Sequence, residues 1–105
     1  MNAPAEFDVT DEPDRPRLVL RGDWTAEAAV AAGPRLATAL RHRAAPHIDL
    51  TAVGRIDTAG AHAILRALGG RIDPTRLHAR PATVRLLELV ETAMAAKSEP
   101  APGSL

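Results

Sequence analysis

Between His47 and Gly70 the chain changes its hydrophobic period, and that change is the tightest constraint the sequence sets on the fold. Ile48-Asp49-Leu50-Thr51 is an extended run ending in small and polar residues, and Ala52-Val53-Gly54-Arg55 reads as a short turn. The chain then enters Ile56-Asp57-Thr58-Ala59-Gly60, and from Ala61 the apolar positions are Ala61, Ile64, Leu65 and Leu68. Spacings of three, four and seven draw one stripe along an α-helix. Asp57 and Thr58 stand where loop becomes helix. There the first amide N–H groups lack partners inside the helix, and either side chain can cap them. A Thr hydroxyl at that place is also well sited for phosphorylation, because the helix dipole and free N–H groups favour added negative charge.

The flanking sequence extends this unit into a domain. Phe7-Asp8-Val9-Thr10 alternates and predicts a short edge strand, and Asp11-Glu12-Pro13-Asp14-Arg15-Pro16 predicts a hairpin connection. Leu18-Val19-Leu20 is continuously apolar, the mark of a strand covered on both faces. Gly22-Asp23 is expected to break it, with Trp24 as a packing lid at the strand end. From Thr25 to Arg43 the sequence is alanine-rich and helix-prone, with Thr25 as N-cap and Ala29, Gly33, Leu36 and Leu40 on one face. Pro34 predicts a kink or a split, since it lacks an N–H and crowds the preceding turn.

Ala44-Ala45-Pro46 ends that helix, and Gly69-Gly70 stops the next one with a left-handed C-cap. Asp73-Pro74 is a turn and Leu77-His78-Ala79 a last short strand. Pro81 suits the first position of a third helix, with Val84, Leu87, Val90 and Met94 inward and Arg85, Glu88 and Glu91 outward. The order predicts an α/β domain over residues 1–97: a four-stranded mixed sheet with about three helices packed mainly on one face. Residues 98–105, Ser-Glu-Pro-Ala-Pro-Gly-Ser-Leu, have the composition of a flexible tail or linker.

Composition removes several function classes. Aromatic residues are 2% of the chain, Phe7 and Trp24 alone, so the core must be aliphatic and stacking platforms for single-stranded nucleic acid are missing. Thirteen basic residues balance thirteen acidic ones, which leaves no electrostatic footprint for nucleic acid or an anionic membrane. Cysteine is absent, which fits a reducing cytoplasm. The N-terminus has neither the basic nor the apolar segment of a signal peptide. No apolar run approaches the ~20 residues needed to cross a bilayer, so direct insertion of this segment is not expected.

Catalytic constellations fare poorly too. Asp49 and Asp57 are the acidic residues of the central segment, and their expected work is structural: Asp49 accepting loop amides at a strand end, Asp57 shaping the turn before the helix. A phosphate-receiving aspartate needs an acidic pair after the first parallel strand and a late lysine, whereas the one lysine is Lys97. His42, His47, His62 and His78 have no paired spacing of three or four for a metal. Gly54 and Gly60 make no phosphate-cradling loop of either common pattern. Neither an enzyme nor a cofactor is indicated. What remains is a surface. Thr58, His62 and Arg66 are spaced by four and stay on one side of their helix, with Ala59 and Ala63 beside them as small residues that let a partner approach.

The segment resembles the STAS domains (sulfate transporter and anti-sigma factor antagonist), whose signature is a buried Ile-Asp-Leu-Ser/Thr strand, a short loop, then Asp-Ser/Thr-x-Gly opening a helix. Here these read Ile48-Asp49-Leu50-Thr51 and Asp57-Thr58-Ala59-Gly60. The resemblance implies partner binding through Asp57, Thr58, Ala59, Gly60, His62 and Arg66, with Thr58 as the phosphorylatable or partner-contacting hydroxyl. It is closest to the STAS domains of Mla-type ABC lipid transporters. Thr stands where anti-sigma antagonists usually carry Ser, and Ala59-Gly60-Ala61-His62 departs from their Ser-Gly-Leu-Gly. The partners so implied are an ABC-type ATPase subunit and a permease, covalently linked or separate, at the cytoplasmic face of the inner membrane. The alternative is an anti-sigma factor antagonist, with Thr58 phosphorylated by an anti-sigma factor kinase.

Overall fold

The computed structural model describes residues 4–98. In chain order these form β1 (Glu6–Asp11), β2 (Pro16–Trp24), α1 (Ala26–Leu40), β3 (His47–Ile56), α2 (Thr58–Ala67), a 3-10 turn (Pro74–Arg76), β4 (Leu77–His78) and α3 (Pro81–Ser98). The sheet order is β1-β2-β3-β4, with β1 antiparallel to β2 and the other pairs parallel. The fold class is therefore the expected mixed four-stranded α/β arrangement. The Pro-rich segment after residue 98 lies outside the described residues.

One face of the sheet makes the core. Leu18, Leu20, Leu50 and Val53 from the strands meet Leu36 of α1, Ile64 and Leu65 of α2 and Leu87 of α3, all sealed from water. Trp24 is the one aromatic among these sealed side chains, and its indole N–H donates to the Arg21 carbonyl at 3.0 Å. The opposite face is polar. Arg21 pairs there with Asp8 and Glu6, and Arg17 lies 3.6 Å from Asp49. Val19 is only half-buried on that side, so β2 is covered on one face rather than both.

Two sequence expectations about strand ends are corrected. Gly22-Asp23 does not break β2, and Ala52–Arg55 is no turn: the two strands run on together to Trp24 and Ile56. Bulges make this possible. From Val19↔Asp49 to Arg21↔Ala52, β2 advances two residues and β3 three, and the same happens from Gly22↔Val53 to Trp24↔Ile56. Gly22 takes the left-handed φ of 81° that the distortion requires, and the Asp23 carboxylate accepts the Arg55 N–H at 2.9 Å.

Asp49 consequently sits inside β3, not at a strand end. Its carboxylate accepts the Thr51 amide at 2.9 Å and the Thr51 hydroxyl at 2.6 Å, and these bonds, with Arg17 and His78 nearby, hold its pKa below the usual carboxylate range. A depressed folded-state pKa contributes stability above the ordinary carboxylate value of about 4, and loses it as pH falls through the lower folded value. Asp49→Asn should therefore cost up to about 1 kcal/mol at neutral pH, with the deficit shrinking as pH falls below the ordinary carboxylate range. Urea titrations of both proteins across that range check it.

The helices hold two further corrections. α1 is uninterrupted at Pro34. The carbonyl that Pro34 leaves without its usual donor is that of Val30, which is 80% exposed, so water can serve it. In α3, Leu87 and Val90 are buried and Arg85 and Glu88 exposed as expected, but Glu91 turns in to accept the Ile72 N–H at 2.8 Å. Gly69 and Gly70, at φ 83° and 86°, close α2 as the sequence predicts.

Candidate functional site

The site begins with a carboxylate that serves two helices. Asp57 is the N-cap of α2, where its Oδ1 accepts the Gly60 N–H at 2.8 Å. Its Oδ2 accepts the Ala26 N–H at 2.9 Å, the first residue of α1. Thr25, expected to cap α1, makes no side-chain cap bond. Both oxygens of Asp57 are thus committed to helix starts, and the negative charge sits against the positive ends of two helix dipoles. That arrangement fixes a turn; it does not present a base.

Gly60 completes the turn from inside. A Cβ placed on it would lie 1.6 Å from the Trp24 carbonyl oxygen, so the α2 backbone rests directly on the end of β2. Gly60 is buried and contributes closeness of approach, not surface. Asp57 is half-buried beside it.

The other four sequence-derived positions face out. Thr58, Ala59, His62 and Arg66 are all exposed along one side of α2. Among the described residues, the Thr58 hydroxyl has no hydrogen-bond partner, His62 included. Next to this side runs a groove of about 440 Å³ between α1 and α2, with Ala29, Gly33 and Ala37 on one wall and Ala63 and Ala67 on the other. Gly33 explains how narrow it is, since a Cβ there would come within 3.3 Å of the Ala63 Cβ. Among the described residues, no three of His, Asp and Glu gather as a metal site would need. What the surface offers is a hydroxyl, an imidazole and a guanidinium over small side chains, on a turn held from within.

Three features went unforeseen. The bond from Asp57 to α1 joins residues far apart in sequence, and no local pattern announces it. Exposed Val30 reads as one more apolar residue in an alanine-rich helix. Arg80, which donates to the Val53 carbonyl, stands just before α3 with no motif around it. Compared with models of known protein families, with curated proteins and with solved structures, the chain matches none of them.

Proposed function

We propose that this chain is a non-catalytic docking domain of the STAS kind, which tunes an Mla-type ABC phospholipid transport system by contacting its ATPase subunit through the turn and helix beginning at Thr58. The observation that carries the reading is an exposed Thr58 hydroxyl, without a hydrogen-bond partner among the described residues, on a turn held by Asp57 and Gly60. Asp57 ties two helix starts and Gly60 packs on Trp24, so a partner meets a surface already ordered and little conformational freedom is lost on docking. His62 and Arg66 continue the same face, and acidic groups on the partner would complement Arg66. No described helix is long and apolar enough to cross a membrane, so on this reading the permease and ATPase hold the domain at the cytoplasmic face of the inner membrane.

Copurification of the tagged chain tests the reading. An ABC-type ATPase should be recovered, and Thr58→Glu should weaken its binding at least about tenfold, because a carboxylate displaces a neutral hydroxyl at the contact. The second reading, an anti-sigma factor antagonist, draws on the same free hydroxyl. A phosphate on Thr58 would bring a charge of about −1.5 to −2 to a helix start and expel the partner. Recovery of a histidine-kinase-like anti-sigma factor, with kinase-dependent phosphate on Thr58, would replace the first reading with the second.

A further inference from the structure

α3 carries more apolar surface than the domain covers. Leu87 and Val90, with Thr83 and Met94 beside them, face the core. A second stripe runs next to that one: Ala82, Leu86, Leu89, Ala93 and Ala96. Its members step by four, three, four and three, the heptad spacing that keeps one seam facing a neighbouring helix. They fall within an arc of about 80° around the helix axis. Leu86 is half-buried at the edge of this arc, and the other four are exposed, Leu89 at 70%. An amphipathic surface helix normally turns charged and polar groups to this side. α3 instead presents a leucine ridge between alanines small enough for another helix to lie close.

The charges beside the stripe say which helix. Arg85 and Glu88 border it on the side away from the core, both exposed, and neither forms an ion pair among the described residues. In two antiparallel helices related by a two-fold axis, like flanks face each other. Arg85 of one copy then meets Glu88 of the other, and the pair repeats with the roles exchanged. The same register sets Leu86 against Leu89 of the second copy, and Ala82 against Ala93. A parallel pair would set the Arg85 flank against Thr83 and Val90, which are buried and offer no charge. The stripe is thus complementary to itself in the antiparallel sense. With thirteen basic and thirteen acidic residues, the chain also meets no long-range repulsion from its own kind.

We propose that the outer stripe of α3 is a self-association surface, through which two copies of this chain pair antiparallel about a two-fold axis, Leu86 packing on Leu89 and Arg85 reaching Glu88 of the other copy. None of these residues lies on α2, so the proposal stands apart from the docking reading. Sedimentation equilibrium of the full chain tests it. A monomer–dimer equilibrium is expected, with a dissociation constant on the order of 10–100 µM for a contact of one helix pair. Leu89→Lys should raise that constant at least about tenfold while far-UV circular dichroism stays unchanged, because the side chain is exposed in the single copy. Arg85→Glu should raise it about fivefold, and adding Glu88→Arg to that variant should restore it. Val30→Lys, at the exposed large hydrophobic of α1, should leave it unchanged. A chain that is monomeric at millimolar concentration, a dimer indifferent to Leu89→Lys, equal weakening by Val30→Lys, or no recovery on the charge exchange would overturn it. So would a monomer that sediments with phosphatidylglycerol vesicles and loses this with Leu89→Lys, since that result assigns the stripe to a lipid surface.

Discussion

Gly60→Ala is expected to cost this domain more stability than any other substitution named for it. The added Cβ would lie 1.6 Å from the Trp24 carbonyl oxygen and 2.6 Å from its carbon, and both are backbone atoms that no rotamer change can move aside. Either α2 lifts from the end of β2 or the Asp57 cap breaks. Overpacking of this kind costs roughly 3–5 kcal/mol. A domain of 105 residues has about 5–15 kcal/mol in total, so the substitution removes a substantial share of it. Trp24 is the one tryptophan and packs against the same spot, which makes its fluorescence in a urea titration a direct reporter. Ala59→Gly, one residue away on the exposed side, is the control and should lose only about 0.5–1 kcal/mol through helix propensity. Equal losses for the two would show that the close approach of α2 to β2 is not what Gly60 is for.

Asp57→Ala should be the next most damaging change, at roughly 2–3 kcal/mol. Two cap bonds are lost together, each worth about 1 kcal/mol, and the Gly60 amide is left buried without an acceptor. Asp57→Asn separates the two bonds. An amide has one acceptor oxygen and its nitrogen cannot accept, so one helix start keeps its cap and about half the loss returns. Hydrogen exchange at the Ala26 and Gly60 amides resolves the two effects. Both should accelerate in Asp57→Ala, and one of them in Asp57→Asn. Faster exchange at Gly60 alone in the alanine variant would mean that the bond to α1 carries no weight.

The elements themselves were legible in the sequence, and the reason is local chemistry. Ala61, Ile64, Leu65 and Leu68 declare a helix by spacing, Gly69 and Gly70 declare its end by their freedom at positive φ, and Pro81 declares the start of the next. Strand ends were not legible. Gly22-Asp23 and Ala52–Arg55 have turn-like composition, yet pairing between β2 and β3 carries both strands through, with bulges taking up the extra residues. Tertiary pairing overrides local preference there.

At the site, the side facing out could be read from a spacing of four, since Thr58, His62 and Arg66 are exposed as a helix places them. Nothing in the motif separates Gly60, which is buried against Trp24, from the residues that face a partner. Nor does any local signal give Asp57 its second helix. Both facts depend on where β2 ends relative to β3, a matter of packing between distant segments. Thr83 differs: it stands four, seven and eleven residues before Leu87, Val90 and Met94, so the helical period alone puts it on their buried stripe, with half-buried Val84 beside it.

The central claim is that the exposed side of α2 is where a transporter's ATPase sits. A photo-crosslinking residue placed at His62 in living cells tests it directly, with the same residue at exposed Glu88 of α3 as reference. The account predicts a covalent adduct from position 62 whose other half is an ABC-type ATPase, and no ATPase adduct from position 88. ATPase adducts of equal yield from both positions, or an ATPase adduct from position 88 alone, would contradict it.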